Sequence, residues 1–330
     1  MSLPTLMRAL QQTSLNGPGD LRLVADARVP APGAGQVLVK IGAAGVNMAD
    51  LSQAHGTFGG GPQPPYLAGF EGAGEVVALG AGVTGLAPGA HVTGIGYGTF
   101  AEYALFSAFT VTPVPQGWSD EQVLGLMVNW PTALAAVKYL GELAAGTTAL
   151  IHAAAGGTGQ IAVKLAKHYG ATVIATASPE KHETVRVLGA DHILDSRGSD
   201  VLGEVLRLTG GEGADLVVEG VGGAMFESSL AAARRVTGRV IVTGLPAGEA
   251  KVSNWDLVYK NQVHVIGLNI GILAQRAPQM FGQIMGELSS LIAAGVLGPG
   301  QPTVHDLADG PKALMDLESR KTVGKLALRP

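Results

Sequence analysis

The sequence predicts an α/β protein in which a Rossmann-type, doubly wound parallel sheet is joined to a discontinuous, mostly β, barrel-like domain. Three observations lead there. Residues 148–153 form an apolar run that enters the turn Ala154-Ala-Gly156-Gly157-Thr158-Gly159 and continues as a helical segment to Lys167. The next ~120 residues alternate apolar strands with helical stretches, the pattern of a parallel sheet. Residues 1–125 read differently, as short strands cut by Gly and Pro, which suggests a small barrel.

In this first region the expected strands are 6–10, 21–27, 36–44, 72–79, 91–95 and 101–106, with a short helix over 46–54. Pro88-Gly89 reads as a turn, and Phe58-Gly-Gly-Gly-Pro-Gln-Pro-Pro65 as an irregular loop, either the rim of a cleft or a plain surface connection. Residues 119–140 are expected to be helical. Asn129-Trp-Pro-Thr132 interrupts them, with Pro131 opening the second helix. Further strands are expected at 171–177, 192–194, 215–219, 238–244 and 263–267, with a helix over 179–188. Past Leu268 come helices 280–293 and 307–319 and a strand 324–328. This tail is too small for a domain and is expected to return to the β domain. The expected division is therefore 1–126 with 269–330, and 127–268.

A chain of 330 residues has room for two cores, and 47% hydrophobic against 15% charged residues excludes a disordered chain. The net charge of −4 lacks the basic footprint of a nucleic-acid binder. No apolar run is long enough to span a membrane and no signal-peptide pattern opens the chain, so a cytoplasmic protein is expected. The absence of Cys excludes disulfides, thiolate metal sites and a Cys nucleophile. The eight His show no ligand-like spacing and read as surface or packing residues, so no metal is expected.

Ala154, Gly156 and Gly159 keep the spacing G-x-G-x-x-G, with Ala in the first place. That spacing provides a tight turn, close backbone approach to a pyrophosphate, and close helix–strand packing. By itself it also fits a ligand-free turn. The strand before it and the helix after it are the context that marks a dinucleotide site, and Gln160 in place of Lys speaks against a P-loop. An NAD site places an acid about 20 residues beyond the glycines, at the end of the second strand. Here that offset falls on Thr176, with Ser178 and Lys181 just beyond and Glu180 expected to face elsewhere. Ser178 and Lys181 could hold a 2′-phosphate, although Lys181 also fits a solvated helix face. NADPH is the expected cofactor. Gly244, Leu245, Leu268 and Asn269, at strand C-terminal ends, are expected to flank it.

Several stretches together resemble the zinc-free quinone oxidoreductase branch of the medium-chain dehydrogenase/reductase superfamily. They are Gly45-Val-Asn-Met-Ala-Asp50, Leu67-Ala-Gly-Phe-Glu-Gly-Ala-Gly74, Gly80-Ala-Gly-Val-Thr-Gly85, Pro88-Gly-Ala-His-Val92 and Thr99-Phe-Ala-Glu-Tyr103. The series continues through Thr132-Ala133, the Gly-rich turn, Leu188-Gly-Ala-Asp191, Thr209-Gly-Gly-Glu-Gly-Ala-Asp215, Val221-Gly-Gly223 and Gly324-Lys-Leu-Ala-Leu328. The resemblance covers nearly the whole chain in order. It implies a GroES-like catalytic domain beside the Rossmann domain, adds Arg320 as a phosphate contact, and departs at Ser196, where the family often has Tyr and Arg197 could substitute. Zinc enzymes of the superfamily carry Cys where Asn47 stands, His where Phe70 stands and a second Cys close to Val128, none of which can ligate here.

The resemblance implies direct hydride transfer from the nicotinamide to an electron-poor small-molecule acceptor. Asn47 is expected beside the nicotinamide ribose or the acceptor oxygen, with its amide donating, and is also a candidate helix N-cap. Thr132 is expected to position the nicotinamide, and Tyr66 and Tyr97 to line the pocket or pack in the core. Family Tyr and Arg positions are Ser52 and Ala54 here, so no proton donor is assigned. The readings are a quinone reductase, an enoyl or enone reductase, or an NADPH-binding protein without useful turnover. A homodimer through the edge strand near 263–273 is expected.

Overall fold

The computed structural model describes residues 3–330, which divide into two units: Met1–Met127 with Pro299–Pro330, and Val128–Gly298. The first segment carries β1 (Leu6–Gln12), β2 (Leu21–Arg28), β3 (Gln36–Val46), α1 (Met48–Ala54), β4 (Tyr66–Leu67), β5 (Glu71–Leu79), β6 (His91–Ile95), β7 (Tyr103–Ser107) and β8 (Val111–Pro113). β3 extends to Val46, two residues beyond the expected strand, because it stays paired with β5 as far as Gly45↔Glu71. Asn47 then caps α1, and the Asp50 carboxylate accepts the Asn47 backbone N–H at 2.7 Å.

Residues 120–128 form consecutive turns instead of the helix expected from 119. Gly125 sits at φ 94, a left-handed conformation that no helix continues through, and its N–H leaves the chain to meet Glu71 Oε1 at 2.6 Å.

The second unit opens with α2 (Asn129–Leu134), which runs on into a π-helical turn over Ala135–Tyr139. Pro131 is the third residue of α2 and not its first; the whole first turn lacks intrahelical N–H partners, so the missing donor is tolerated there. There follow β9 (Thr148–Ile151), α3 (Gly157–His168), β10 (Thr172–Ala177), α4 (His182–Val187), β11 (His192–Asp195), α5 (Val201–Leu208) and β12 (Leu216–Glu219). The unit ends with α6 (Gly223–Ala232), β13 (Arg239–Val242), β14 (His264–Gly267), α7 (Ile270–Arg276) and α8 (Pro278–Ala293). Its six strands are all parallel, in the order β11-β10-β9-β12-β13-β14. Strand order reverses at β9, which puts a ligand crevice outside the carboxyl ends of β9 and its neighbours. β9, β10, β12 and β13 are almost wholly buried, as expected of strands covered by helices on both faces.

The division differs from the expected one over 269–298, which packs in this second unit and does not return to the β domain. α8 buries Ile284, Leu288 and Leu291, and its Glu287 carboxylate accepts Tyr139 Oη at 3.0 Å and Tyr169 Oη at 2.6 Å and pairs with Lys138. The return begins at Pro299, with β15 (Thr303–Asp306), α9 (Gly310–Glu318) and β16 (Leu326–Arg329). In the first unit one sheet then runs β15-β16-β3-β5-β6-β8, with β7 also on β3, and a second runs β2-β1-β4. β16 pairs antiparallel with the end of β3, Leu326 opposite Val46.

Candidate functional site

The glycine turn of the second unit meets two of the three demands of a dinucleotide turn at the expected glycines and one elsewhere. The left-handed residue is Ala153, at φ 48, not Ala154. A Cβ on Gly159 would lie 2.3 Å from Ala153 O and 2.8 Å from Ala154 Cα, so only glycine lets α3 pack this close to the strand end. A Cβ on Gly156 would meet only Ala153 O, at 3.2 Å, leaving that side of the turn open. Gly156 caps α3, and Gln160 N–H is the first to close back, onto Gly156 O at 2.9 Å. The N–H groups of Gly157, Thr158 and Gly159 therefore point out of a helix N-terminus, a site for an anion. Asn129 Nδ2 donates to Thr158 Oγ1 at 3.1 Å and fixes its rotamer, a contact the sequence did not suggest.

The other expected cofactor residues lie at the same edge of the sheet, one strand after another. Ser178 follows β10, Ser196 follows β11, Gly244 and Leu245 follow β13, and Leu268 and Asn269 follow β14. Asn269 caps α7, accepting Ile272 N–H at 3.1 Å. Thr132, in α2, donates its hydroxyl proton to Val128 O at 2.6 Å, so that only its lone pairs face outward as acceptors.

At the ribose end two expectations change. Thr176 is buried and its hydroxyl meets His152 Nδ1 at 3.0 Å, so the twentieth residue past Gly156 faces the interior. Glu180 does not face elsewhere. Pro179–Lys181 is a 3-10 turn instead of the start of an α-helix, and it brings Glu180 back over the strand end. Ser178 Oγ donates to Glu180 Oε1 at 2.7 Å, and Arg197 Nη2 pairs with the same oxygen at 3.0 Å. The Ser178 hydrogen bond, with Arg197 and Lys181 adding, holds the Glu180 carboxyl below the usual range. Burial lowers the Lys181 pKa, opposed by Glu180 and assisted by Arg197. Ser178, Glu180, Lys181 and Arg197 thus form one polar cluster. Arg320 belongs to the first unit, just past α9, at φ 57.

Within the first unit the structure gathers around Asn47 residues that the sequence did not single out. Asn47 Nδ2 donates to Gly45 O at 3.1 Å and Glu71 Oε2 at 2.9 Å, while its Oδ1 accepts Lys325 Nζ at 2.6 Å. Both amide donors expected to reach ribose or acceptor are thereby engaged inside the unit. Asp50 lies alongside, and burial, reinforced by Glu71 and opposed by the Asn47 N–H and Lys325, pushes its carboxyl up to about 7. Glu71 and Lys325 sit inside the quoted stretches 67–74 and 324–328, but nothing in the sequence pairs them. Tyr66 and Tyr97 line a cavity of about 300 Å³ in this unit together with Met7, Arg28 and Tyr103.

The family models for the alcohol dehydrogenase GroES-like domain and for zinc-binding dehydrogenases match residues 33–116 and 157–288. A probable quinone oxidoreductase of Leishmania amazonensis is 40% identical over 250 residues, 74% of this chain and 72% of that protein. Erythronolide synthase EryA2 of Saccharopolyspora erythraea is 35% identical over 324 residues, 94% of this chain, but the chain spans only 8% of that synthase. Among solved structures, mycobacterial Rv1454c complexed with NADPH is 32% identical with a TM-score of 0.92, over 98% of this chain and 100% of that one. The CurK enoyl reductase is 28% identical with a TM-score of 0.88, over 98% and 99%. The chain belongs to the medium-chain dehydrogenase/reductase superfamily. Within it, its relatives include quinone oxidoreductases.

The zinc that one family description names does not fit these residues. There is no Cys, Phe70 has no donor, and Asn47 Oδ1 already holds the Lys325 ammonium. Among the described residues no group of three or more His, Cys, Asp or Glu could hold a metal ion, and no helix is long and apolar enough to cross a membrane.

Proposed function

We propose that the chain is an NADPH-dependent, zinc-independent reductase that transfers hydride to a quinone-type acceptor. The observation that carries the cofactor choice is the ribose end of the second unit. The place of an NAD-selective acid is taken by Thr176, turned inward on His152, and two cations, Lys181 and Arg197, stand about Ser178. NADPH, when bound, supplies the hydride. The N-terminus of α3 holds its pyrophosphate, with Gly156 leaving room for it. Ser178 and Lys181 bind the 2′-phosphate, with Arg320 assigned to the same task by the family resemblance. Thr132 accepts a hydrogen bond on the nicotinamide side, and Leu245 and Leu268 shield the ring edge from water. A fixed ammonium at Asn47 in place of a metal supports reduction of an acceptor that is already electron-poor, since no Lewis acid is supplied to activate an alcohol.

The similarity to the CurK enoyl reductase favours a second reading, reduction of an enoyl or enone double bond. An acceptor screen that follows NADPH absorbance separates the two. Turnover with quinones and none with enones supports the proposal. Turnover confined to enones replaces it with the second reading, and tight NADPH binding without turnover replaces both with a binding protein.

The reading includes a homodimer. β14 is the last strand of its sheet, and Val265 on it and Ile272 on α7 are exposed, as are Trp255, Val258 and Tyr259 nearby in sequence. An open apolar edge calls for a partner, and a second copy of the same strand supplies one.

A further inference from the structure

Four polar side chains of the first unit close on one another where β3 meets α1, and their charges balance only if a proton is added. Glu71 and Lys325 touch at 2.6 Å and are 0% and 11% exposed, while Asn47 and Asp50 are each 5% exposed. A Cβ on Gly45 would lie 2.5 Å from Glu71 Oε2 and 2.9 Å from Lys325 Cε, so the backbone has been cut back to admit this pair. One ammonium offsets one carboxylate. A second ionised carboxylate here would be a buried charge without its own counter-ion, which a protein interior avoids by protonation.

The hydrogen bonds decide which acid carries the proton. Glu71 accepts from three donors: Lys325 Nζ at 2.6 Å, Asn47 Nδ2 at 2.9 Å and Gly125 N–H at 2.6 Å. Asp50 accepts from one, Asn47 N–H on Oδ2 at 2.7 Å, and its buried Oδ1 has no partner. We propose that Asp50 is a protonated carboxyl in the resting protein and that this proton positions Asn47, by leaving Lys325 on Asn47 Oδ1. The importance to turnover of the Lys325 ammonium on Asn47 rests on the reductase reading above; the proton on Asp50 does not.

Loss of the proton places a second negative charge beside Glu71. The two carboxylates then compete for Lys325, drawing its ammonium off Asn47, and repel each other. Burial puts this ionisation at about 7. The charges that act on Asp50 are those of Lys325 and Glu71, and burial, with Asp50 adding, raises the pKa of the Tyr66 hydroxyl on β4. On α9, which packs against α1, Glu318 is taken by His55 at 2.6 Å and Lys312 by Asp316 at 2.8 Å.

The test titrates the intact protein by two spectroscopies and one assay. With aspartate carrying a carboxyl isotope label, infrared spectroscopy should show one protonated carboxyl at pH 6. That band should vanish with a midpoint near 7 and be missing from Asp50→Asn. Nitrogen-labelled lysine should show one ammonium resonance moving with the same midpoint in wild type and holding still in Asp50→Asn. Between pH 6 and 8, kcat/KM for NADPH oxidation should fall about tenfold in wild type, as for a single required proton, and stay flat in the variant. No protonated carboxyl at pH 6 overturns the proposal. So does a lysine resonance that ignores the carboxyl titration, or an alkaline limb that persists in Asp50→Asn. If the variant does not fold, the shared midpoint of the two wild-type signals still decides. Absence of turnover with every acceptor defeats the reductase reading and leaves both spectroscopic results standing.

Discussion

Thr176 Oγ1 lies 3.0 Å from His152 Nδ1, and this contact turns the last turn-facing residue of β10 away from the ligand edge. Ser229 donates its own proton to Met225 O at 2.8 Å, so it can only accept from His152 Nε2 at 3.1 Å. His152 is therefore a neutral ring protonated on Nε2, and Thr176 donates to Nδ1. Thr176→Asp, the natural exchange for making an NAD site, should bury a charge beside this ring. It should lower the melting midpoint by roughly 5 °C or more, without tightening NADH. Tighter NADH with an unchanged midpoint in calorimetry and titration would show that residue 176 faces the ribose after all.

The same ring makes stability depend on pH. Burial pushes the His152 pKa from 6.5 down to about 4. A depressed folded-state pKa gives stability that is complete above 6.5 and drains away as pH falls toward 4, at up to ~1 kcal/mol per unit. His152→Gln should flatten that part of the unfolding free energy between pH 6.5 and 4.5. An unchanged slope in the variant would assign the acid sensitivity to other groups.

Glu180 occupies Ser178 and Arg197, two groups that a 2′-phosphate would use. Removing it should release both. Glu180→Ala is predicted to tighten NADPH roughly threefold to tenfold, and to leave NADH within about twofold. Weaker NADPH binding in the variant would mean that the carboxylate holds the turn in shape and does not compete with the phosphate.

Asn47, Phe70 and the absence of Cys predict a protein without stoichiometric zinc that keeps its reductase activity in strong chelator. Elemental analysis giving one zinc per chain, with activity lost on chelation, contradicts this.

The open edge of β14 predicts a dimer by light scattering at micromolar concentration. Val265→Asp, which puts a charge on the exposed strand, should convert it to monomer. A clean wild-type monomer would mean that the edge is protected in another way.

Much of the architecture is legible in the sequence because it rests on local signals. The Gly-rich turn, the alternation of apolar runs with helices, and the Gly/Pro punctuation of the first 125 residues each report a backbone requirement that neighbouring residues impose. What was not legible depends on partners far away in the chain. The turns at 120–128 follow from Gly125 giving its N–H to Glu71, 54 residues away. Residues 269–298 stay with the Rossmann unit because Glu287 meets Tyr139 and Tyr169. The site shows the same split. The strand-end positions 154–159, 178, 196, 244–245 and 268–269 follow from the parallel sheet. The direction of Thr176 and the engagement of Asn47 with Lys325, 278 residues on, do not.

The ribose end of the second unit is proposed to select NADPH through Lys181, with Ser178 assisting and Arg320 added by the family resemblance. A charge-assisted hydrogen bond contributes roughly 1.5–3 kcal/mol, so each lost contact should weaken binding by about tenfold to a hundredfold. The deciding measurement is the dissociation constant of NADPH and of NADH, by fluorescence or calorimetric titration, for wild type, Lys181→Ala and Arg320→Ala. Wild type should prefer NADPH, and each variant should lose NADPH affinity by that factor while NADH barely changes. Equal wild-type affinity for the two cofactors, or equal weakening of both in Lys181→Ala, would contradict the assignment.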